Sequence, residues 1–585
     1  MATPEAAVDE LRRRGVGDGD RVGLAVGSGS GAGVAVAGHA IAFGPDDAID
    51  AVRLIEGALH PRWTWWSNET ATALIRSGLR VARCWDVAAV QRLLSGGWTA
   101  TPPIVWARLH DLDRDTVPST GPLDLFSVAE HELGEAGDPE DPVRADGHLR
   151  ASWVGGGWSA TPDRLARWAG LALEAAARQQ AELDLLPDPR QASATARSES
   201  AAELLCAELA ADGLPVDRDA AEAVIAGFIG PRPRTPADSE VERARRDQEV
   251  LRHVPPDAAI GVDLRSPGQV KSLLRRVGIE VPDTRAWRLE PLRGAHPVVE
   301  PLLAWRKAER VETTYGYRWL DEHVGDDGRL RGEWSGSDGA AGRMTASAGL
   351  HNMPVDLRGG VVAEPGHVFV RADLGQIEPR VLAVVSGDAA LAAATTDDDL
   401  YLPIAAQLDV DRPTAKVAML GAMYGQTSGR GAEVQHRLRT AYPVAMGYLE
   451  DADRSGQVGR SIRTYGGRLI RFGPTSTAGV GDREARGRAA AMGRYGRNAM
   501  VQGAAAELFK VWAALVRVRG AELDARIVLC LHDELLVHAP VDAGDVVAEL
   551  VSACLTEAAD RWSRGRGVRF VADISVITCW ADAKP

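Results

Sequence analysis

The sequence predicts a mixed α+β protein of several domains. Its 585 residues, at about 150 per domain, suggest three or four units. Apolar runs of strand length alternate irregularly with segments of helical apolar spacing, and no internal repeat occurs. Hydrophobic residues make up 45% and charged residues 25%, the balance of a folded globular chain. No run of 18 or more apolar residues occurs, so no membrane-spanning segment is expected. The Gly/Ala/Val stretch 22–43 contains Ser and lacks a basic leader, and reads as buried strands. Five cysteines, at 84, 206, 530, 554 and 579, form no CxxC pair. Such a scattered, odd set fits reduced structural thiols in a cytoplasmic protein, not a zinc site or disulfide framework.

Taken in order, residues 1–185 combine strand-like runs (22–26, 33–37, 103–107) with helical ones (70–77, 86–94, 162–182), which predicts an α/β domain. Its loop 132–148 is rich in Asp, Glu, Gly and Pro. Residues 183–200 are polar, with Pro and Ser, and read as a linker or domain boundary. From 201 to about 280 the apolar spacing is helical, broken by GPRPRTP at 230–236. Strands and helices alternate from 300 onward.

The net charge is −14, which argues against a nucleic-acid partner until its distribution is considered. Residues 101–200 carry 9 bases and 17 acids, whereas 401–500 carry 15 bases and 8 acids. A polyanion responds to the local field, so the second window is a candidate contact surface. Nearly all the bases are arginine; the five lysines are Lys271, Lys307, Lys416, Lys510 and Lys584. A lysine retained in such a chain is a candidate for work that needs an ammonium, and Lys416 lies inside the basic window.

Three segments near the C-terminus carry the chemistry. In FVRADLGQIEPRVLAVVSGD (369–388) a strand places Asp373 at its end, and a helix follows with Pro379 in its first turn. In DRPTAKVAMLGAMYGQ (411–426) Asp411 can cap a helix, and Arg412, Lys416, Leu420 and Tyr424 recur every four residues on one face. Two cations, an apolar residue and an aromatic on one stripe suit a nucleoside triphosphate; an amphipathic surface helix would look the same. In RIVLCLHDELLVHAP (526–540) two apolar strands flank His532-Asp533-Glu534, the pattern of a hairpin with acids at its turn. Two strand-end carboxylates, Asp373 and Asp533, with a cationic helix between them suit two Mg²⁺ ions shared with substrate phosphates.

These segments resemble the A, B and C motifs of DNA polymerase I-type (family A) DNA polymerases. DLGQIEPR is similar to the family's DYSQIELR. Arg412, Lys416, Tyr424 and Gly425 match the B motif's R-x₃-K-x₇-YG, and LHDE matches VHDE. GRMTASAGLHNMP (342–354) and RNAMVQGAAAELFK (497–510) resemble further family segments, as do DGLPVD (212–217) and DLRSPGQVKSLL (263–274) in the thumb. The likeness covers about 195–585. It implies a right-hand polymerase fold: thumb 195–300, palm 300–410 and 490–585, fingers 411–489. It also implies that Asp373 and Asp533 hold both Mg²⁺ ions, with Mn²⁺ a possible substitute, and that Glu534 and His532 support the primer terminus. Arg412 and Lys416 would bind the triphosphate, Lys416 also donating a proton to the leaving group. Leu420, Tyr424, Gln376 and Glu378 would complete the nucleotide site, Glu378 rejecting a 2′-hydroxyl. Arg343, Asn352, Arg494, Asn498 and Gln502 would contact primer-template DNA. The implied partners are that DNA and deoxynucleoside triphosphates, for a cytoplasmic, monomeric enzyme of replication or repair.

Departures accompany the likeness. Leu374 and Gly375 replace the family's Tyr and Ser, so Glu378 is expected to lose a hydrogen-bond partner. Leu420 replaces an aromatic residue, and the fingers from Gly425 to Arg468 look short. No separate 5′-nuclease domain is expected. Residues 1–185 occupy the place of the family's RNase H-like 3′–5′ exonuclease domain, and 66–94 is faintly similar to that domain's second motif region. The strands in 21–43 contain no acid, Thr72 stands near a required Asp, Asp86 falls beyond it, and Trp168 and Ala172 take the third motif's Tyr and Asp places. Asp138-Pro139-Glu140 lies in an acidic loop. The expectation is an inactive exonuclease-like domain. The competing readings are a bifunctional enzyme with active exonuclease, a DNA-binding protein with impaired turnover, and a single-subunit RNA polymerase, which Glu378 and HDE disfavour.

Overall fold

The computed structural model describes residues 3–118, 137–425, 431–473, 482–531 and 533–583. Near the N-terminus, short runs of Gly, Ala and Val separated by tight turns form strands β1 (Arg21–Gly27), β2 (Gly31–Val36) and β3 (His39–Phe43), paired antiparallel. Strands β4 (Arg62–Trp65) and β5 (Cys84–Asp86) extend the sheet in parallel, giving the order β3-β2-β1-β4-β5. Parallel neighbours need crossover connections, supplied by helices Ala48–Leu59 and Glu69–Arg76. Strands and helices thus mix over residues 1–185, as the sequence predicts. The run 103–107, read as a strand, is instead inside the helix Pro102–Leu109. Two prolines occupy its first turn, where a missing N–H costs little, and Val105, Trp106 and Leu109 are buried.

The helix Pro162–Asp184 lies on this sheet, backbone against backbone. A Cβ on Gly33 would sit 2.1 Å from the Ala166 nitrogen, and one on Gly23 would sit 2.4 Å from the Ala169 carbonyl oxygen. The glycines of β1 and β2 are what allow the helix to approach so closely.

The segment 183–200 is not a linker. The helix to Asp184 is followed at once by another, Pro189–Asp212, in which Ser198, Glu199 and Ser200 are buried. Polar composition misled the reading because these groups are paired inside the protein. Glu199 accepts from Lys510 Nζ at 2.7 Å and also pairs with Arg468, and Ser200 Oγ accepts from the Asp86 backbone N–H at 3.0 Å. Leu204 and Ala207 of this helix pack into the N-terminal core. Ala202, Leu205, Cys206 and Leu209 pack into the core that surrounds the second sheet.

That second sheet comprises β6 (His367–Gly375), β7 (Arg526–Leu531), β8 (Glu534–Pro540) and β9 (Val571–Ile577), in the order β7-β8-β6-β9. β7 and β8 form the expected hairpin, and β8 pairs antiparallel with β6. Val370, Ala372 and Leu374 enter the same core as Val501, Leu508 and Trp512 of the 39-residue helix Asp482–Gly520. By length and composition a window of the Arg483–Leu523 segment could cross a membrane, but 78% of that window is buried inside the protein, as in a core helix.

The chain divides into two compact units. One comprises 1–212, 333–346 and 366–576, and contains both sheets. The other comprises 213–332, 347–365 and 577–585. The expected thumb boundary at 195 therefore falls inside a helix of the first unit, and residues 300–332, expected in the palm, belong to the second. The second unit is mainly helical, with a core of Val250, Leu273, Leu274, Leu289 and Leu302. Its GPRPRTP breaker separates helices Arg218–Ile229 and Pro236–Leu251, and Thr235 forms a capping box with Asp238 at the start of the latter.

Candidate active site

Strand alternation builds one side of the site. While Ala372 and Leu374 are buried in the core, Arg371 and Asp373 share the opposite face of β6. Asp373 lies directly opposite Glu534 of β8, and the Leu374 backbone N–H donates to the Asp533 carbonyl at 2.8 Å. The two strand ends thus bring Asp373, Asp533 and Glu534 together. Burial, then the charges of Asp373 and Glu534, push the Asp533 carboxyl up to about 7, the response of a desolvated acid beside other acids. His532 lies outside the described residues.

Sequence reading missed the cation that is present. Arg371, 6% exposed, donates to Asp373 Oδ2 at 2.5 Å, Glu534 Oε1 at 2.9 Å and Asp573 Oδ2 at 3.1 Å. Its position two residues before Asp373, on the same strand face, was the available signal.

The chain leaves β6 through Gln376, a non-glycine residue with φ of 54°. Left-handed backbone of this kind is uncommon outside glycine and must be held by its surroundings. Here the Gln376 amide donates to Asp399 Oδ1 at 2.8 Å and accepts from the Leu400 N–H at 2.9 Å. The helix Ile377–Ser386 follows. Gly375 packs closely on β9, a Cβ there meeting Val571 Cγ2 at 2.9 Å, which accounts for a glycine in place of serine. Leu374 turns into the core, 2% exposed.

The helix Arg412–Tyr424 forms as its caps dictate: Asp411 accepts from the Thr414 N–H at 2.8 Å and Pro413 sits in the first turn. Ala415, Met419 and Met423 are buried, Arg412 and Lys416 are exposed, and Leu420 and Tyr424 are half-buried. This helix is tied at both ends to the segment that follows Asp373. At its start Arg412 pairs with Asp399, which also holds Gln376. At its end the Tyr424 hydroxyl donates to Glu378 at 2.7 Å. Between these ties Lys416 has no ion pair among the described residues. Glu378 has therefore not lost its partner, contrary to expectation: a tyrosine from the neighbouring helix supplies the hydroxyl. Burial raises the Glu378 carboxyl above its usual range, against hydrogen bonds from Tyr424 and Gln502.

Arg494, Asn498 and Gln502 recur every four residues on the Asp482–Gly520 helix and so share a face. The stem of Arg494 lies against Gly425, and Gln502 reaches Glu378 and Tyr424. Arg343 is half-buried beside Asp338, 3.6 Å away. Asn352 belongs to the second unit, where its carbonyl accepts from Arg310 at 3.0 Å.

Among the positions read against the exonuclease motifs, Trp168 and Ala172 are apolar and buried. Ala25, Trp66, Trp168 and Ala172 share one buried core. The Trp168 ring lies 5.2 Å from Trp66, 6.0 Å from Trp158 and 6.4 Å from Trp153. The Thr72 hydroxyl donates to the Asn68 carbonyl. Asp86 is buried as the cap of helix Val87–Ser95, also accepting from Trp65 Nε1 at 3.0 Å. Asp138 accepts from the Glu140 N–H, and Glu140 pairs with Arg164.

The fold thus joins a strand-end carboxylate pair to a helix that presents Arg412 and Lys416. Residues 244–582 match the family model "DNA polymerase family A", and the chain belongs to that family. It is 32% identical over 297 residues to DNA polymerase I, thermostable, of Thermus aquaticus, covering 46% of this chain and 35% of that one. It is 30% identical over 324 residues to DNA polymerase I of Chloroflexus aurantiacus, covering 50% of this chain and 33% of that one. The chain thus spans about a third of the length of these relatives. The POL domain of Pol1 from M. smegmatis, solved with DNA primer-template and dNTP, has the same fold, with a TM-score of 0.65 at 22% identity over 100% of this chain and 99% of that one.

Proposed function

We propose that the protein is a template-directed DNA polymerase that adds deoxynucleotides to a primer 3′-OH. The observation that carries the reading is the double tie of the Arg412–Tyr424 helix to the segment leaving Asp373. It links a triphosphate-binding face to a carboxylate pair and leaves Lys416 exposed between the two anchored ends. Asp373 and Asp533 suit two Mg²⁺ ions: they are adjacent strand-end acids, and burial, then the charge of Asp373, raises Asp533. When bound, such ions lower the pKa of the attacking hydroxyl and offset charge on the leaving pyrophosphate. Lys416, exposed and without an ion pair among the described residues, can protonate that leaving group, while Arg412, oriented by Asp399, grips the phosphates. Glu378, fixed by Tyr424 and Gln502, fills the space a 2′-hydroxyl would need. Arg494, Asn498, Gln502, Arg343 and Asn352, with His532, are assigned to primer-template DNA. In primer extension, Asp373→Ala and Asp533→Ala should each lower the rate roughly 10³-fold or more. DNA affinity should hold, because it rests on phosphate contacts elsewhere. Near-normal extension by either variant would overturn the assignment.

The N-terminal domain is proposed to be catalytically silent. Proofreading hydrolysis needs metal-bound carboxylates; the reading is supported by Trp168 and Ala172, which lie in a buried apolar core with Ala25 and Trp66. With Mg²⁺ or Mn²⁺ and no nucleotides, the protein should leave a 3′-mismatched primer intact. Stepwise shortening that persists in Asp373→Ala would show an active exonuclease instead.

A further inference from the structure

We propose that Arg371 is a resident counter-cation that competes with divalent metal for the carboxylate site, so that the site binds metal weakly until nucleotide and DNA are present. The proposal rests on the reading above, in which Asp373 is a metal ligand.

The geometry is specific. Arg371 and Asp373 are two residues apart on β6, so both side chains leave the same face of the sheet. The guanidinium is almost fully buried, and three of its nitrogens each serve a different carboxylate: Nη2 serves Asp373, Nε serves Glu534 on β8, and Nη1 serves Asp573 on β9. Its charge therefore already satisfies much of the field a divalent ion would enter. Asp373 Oδ2, an oxygen assigned to metal, is occupied at 2.5 Å by Nη2.

An ion seated on Asp373 must displace that hydrogen bond and lie near a fixed positive charge, and in a partly buried site that repulsion is screened little. Asp573, 64% exposed, gives the guanidinium an alternative partner toward solvent when Asp373 is released. Arginine cannot shed its proton to relieve the conflict. Phosphates arriving with the nucleotide supply the missing negative charge, which makes metal binding conditional on substrate.

The test is Mn²⁺ binding to the full chain alone, without DNA or nucleotide, followed by the electron paramagnetic resonance of free Mn²⁺. Arg371→Gln should bind Mn²⁺ at least tenfold more tightly than the unaltered protein. Arg371→Lys, which keeps a cation but cannot serve three carboxylates at once, should fall between the two. Lys also serves as the readable variant if Gln unfolds the sheet, judged by circular dichroism. Equal or weaker Mn²⁺ binding by a folded Arg371 variant would overturn the proposal and show Arg371 to be a brace between strands. Adding Asp373→Asn to Arg371→Gln separates the two readings. If the gained Mn²⁺ binding disappears, Asp373 is the ligand and Arg371 its competitor. If it persists, the assignment of metal to Asp373 fails.

Discussion

At the residue scale, the contact between Tyr424 and Glu378 bears on the sugar selection proposed for this site. Glu378 sits at the start of the Ile377–Ser386 helix, and its carboxylate is positioned by a hydroxyl from a different helix. Tyr424→Phe removes that donor without changing ring volume, so Glu378 keeps its place in the chain but loses its orientation. A hydrogen bond to a charged group is worth about 1.5–3 kcal/mol. The ratio of ribo- to deoxynucleotide kcat/KM should therefore rise several-fold in Tyr424→Phe, and further in Glu378→Ala, where the bulk itself is gone. An unchanged ratio in both would remove Glu378 from sugar selection. Asp373, Lys416 and Asp533 could be singled out in the sequence as candidates because motif spacing is local. The Tyr424–Glu378 bond and the Arg371 cluster were not, because each joins residues that only the folded sheet and its helices bring together. Gln376 was legible as part of a motif, but its left-handed backbone was not.

At the element scale, the closeness of helix Pro162–Asp184 to β1 and β2 makes glycine indispensable there. A side chain at Gly33 would collide with the backbone at Leu165 and Ala166, which cannot rotate away as a side chain could. Overpacking a core commonly costs about 1–3 kcal/mol, and a clash with backbone belongs at or above the upper end. Gly33→Val should lower the melting temperature of the protein by several degrees, as read by circular dichroism. A variant as stable as the parent would mean the helix can lift off the sheet. Most strands and helices followed from apolar period and caps, among them β1, β2, the β7–β8 hairpin and the Asp411-capped helix. The errors had physical causes. Pro102 and Pro103 begin a helix that is too short to show a period. The 189–212 helix buries serines and a glutamate that composition assigns to solvent.

At the scale of the whole molecule, a buried charge network joins the N-terminal half of the first unit to its C-terminal half. Glu199 binds Arg468 and Lys510. Nearby, Glu507 accepts from the Thr464 hydroxyl and, at 2.8 Å, from the Gly466 N–H. Burial pushes the Glu507 carboxyl up to about 7, from 4.5 when exposed. Because the folded-state value is the higher one, Glu507 favours folding while protonated. Its contribution is complete below about 4.5 and is lost as pH rises through about 7. Glu507→Gln mimics the protonated form, so the variant should gain stability relative to the parent between pH 5 and pH 8, by up to roughly 3 kcal/mol. Parallel melting-temperature profiles for the two proteins over that range would contradict a neutral Glu507.

The Pro189–Asp212 helix has a further consequence, for synthesis on the ribosome. Its N-terminal-facing residues, Leu204 and Ala207, meet partners already made, so residues 1–212 can begin to fold as they emerge. Its other side, Ala202, Leu205, Cys206 and Leu209, belongs with Ile527, Cys530 and Leu535, which are translated roughly 300 residues later. At about 5–20 residues per second that interval is roughly 15–60 s. For that time this side of the helix lacks the last strands of its core, which is completed only when they arrive.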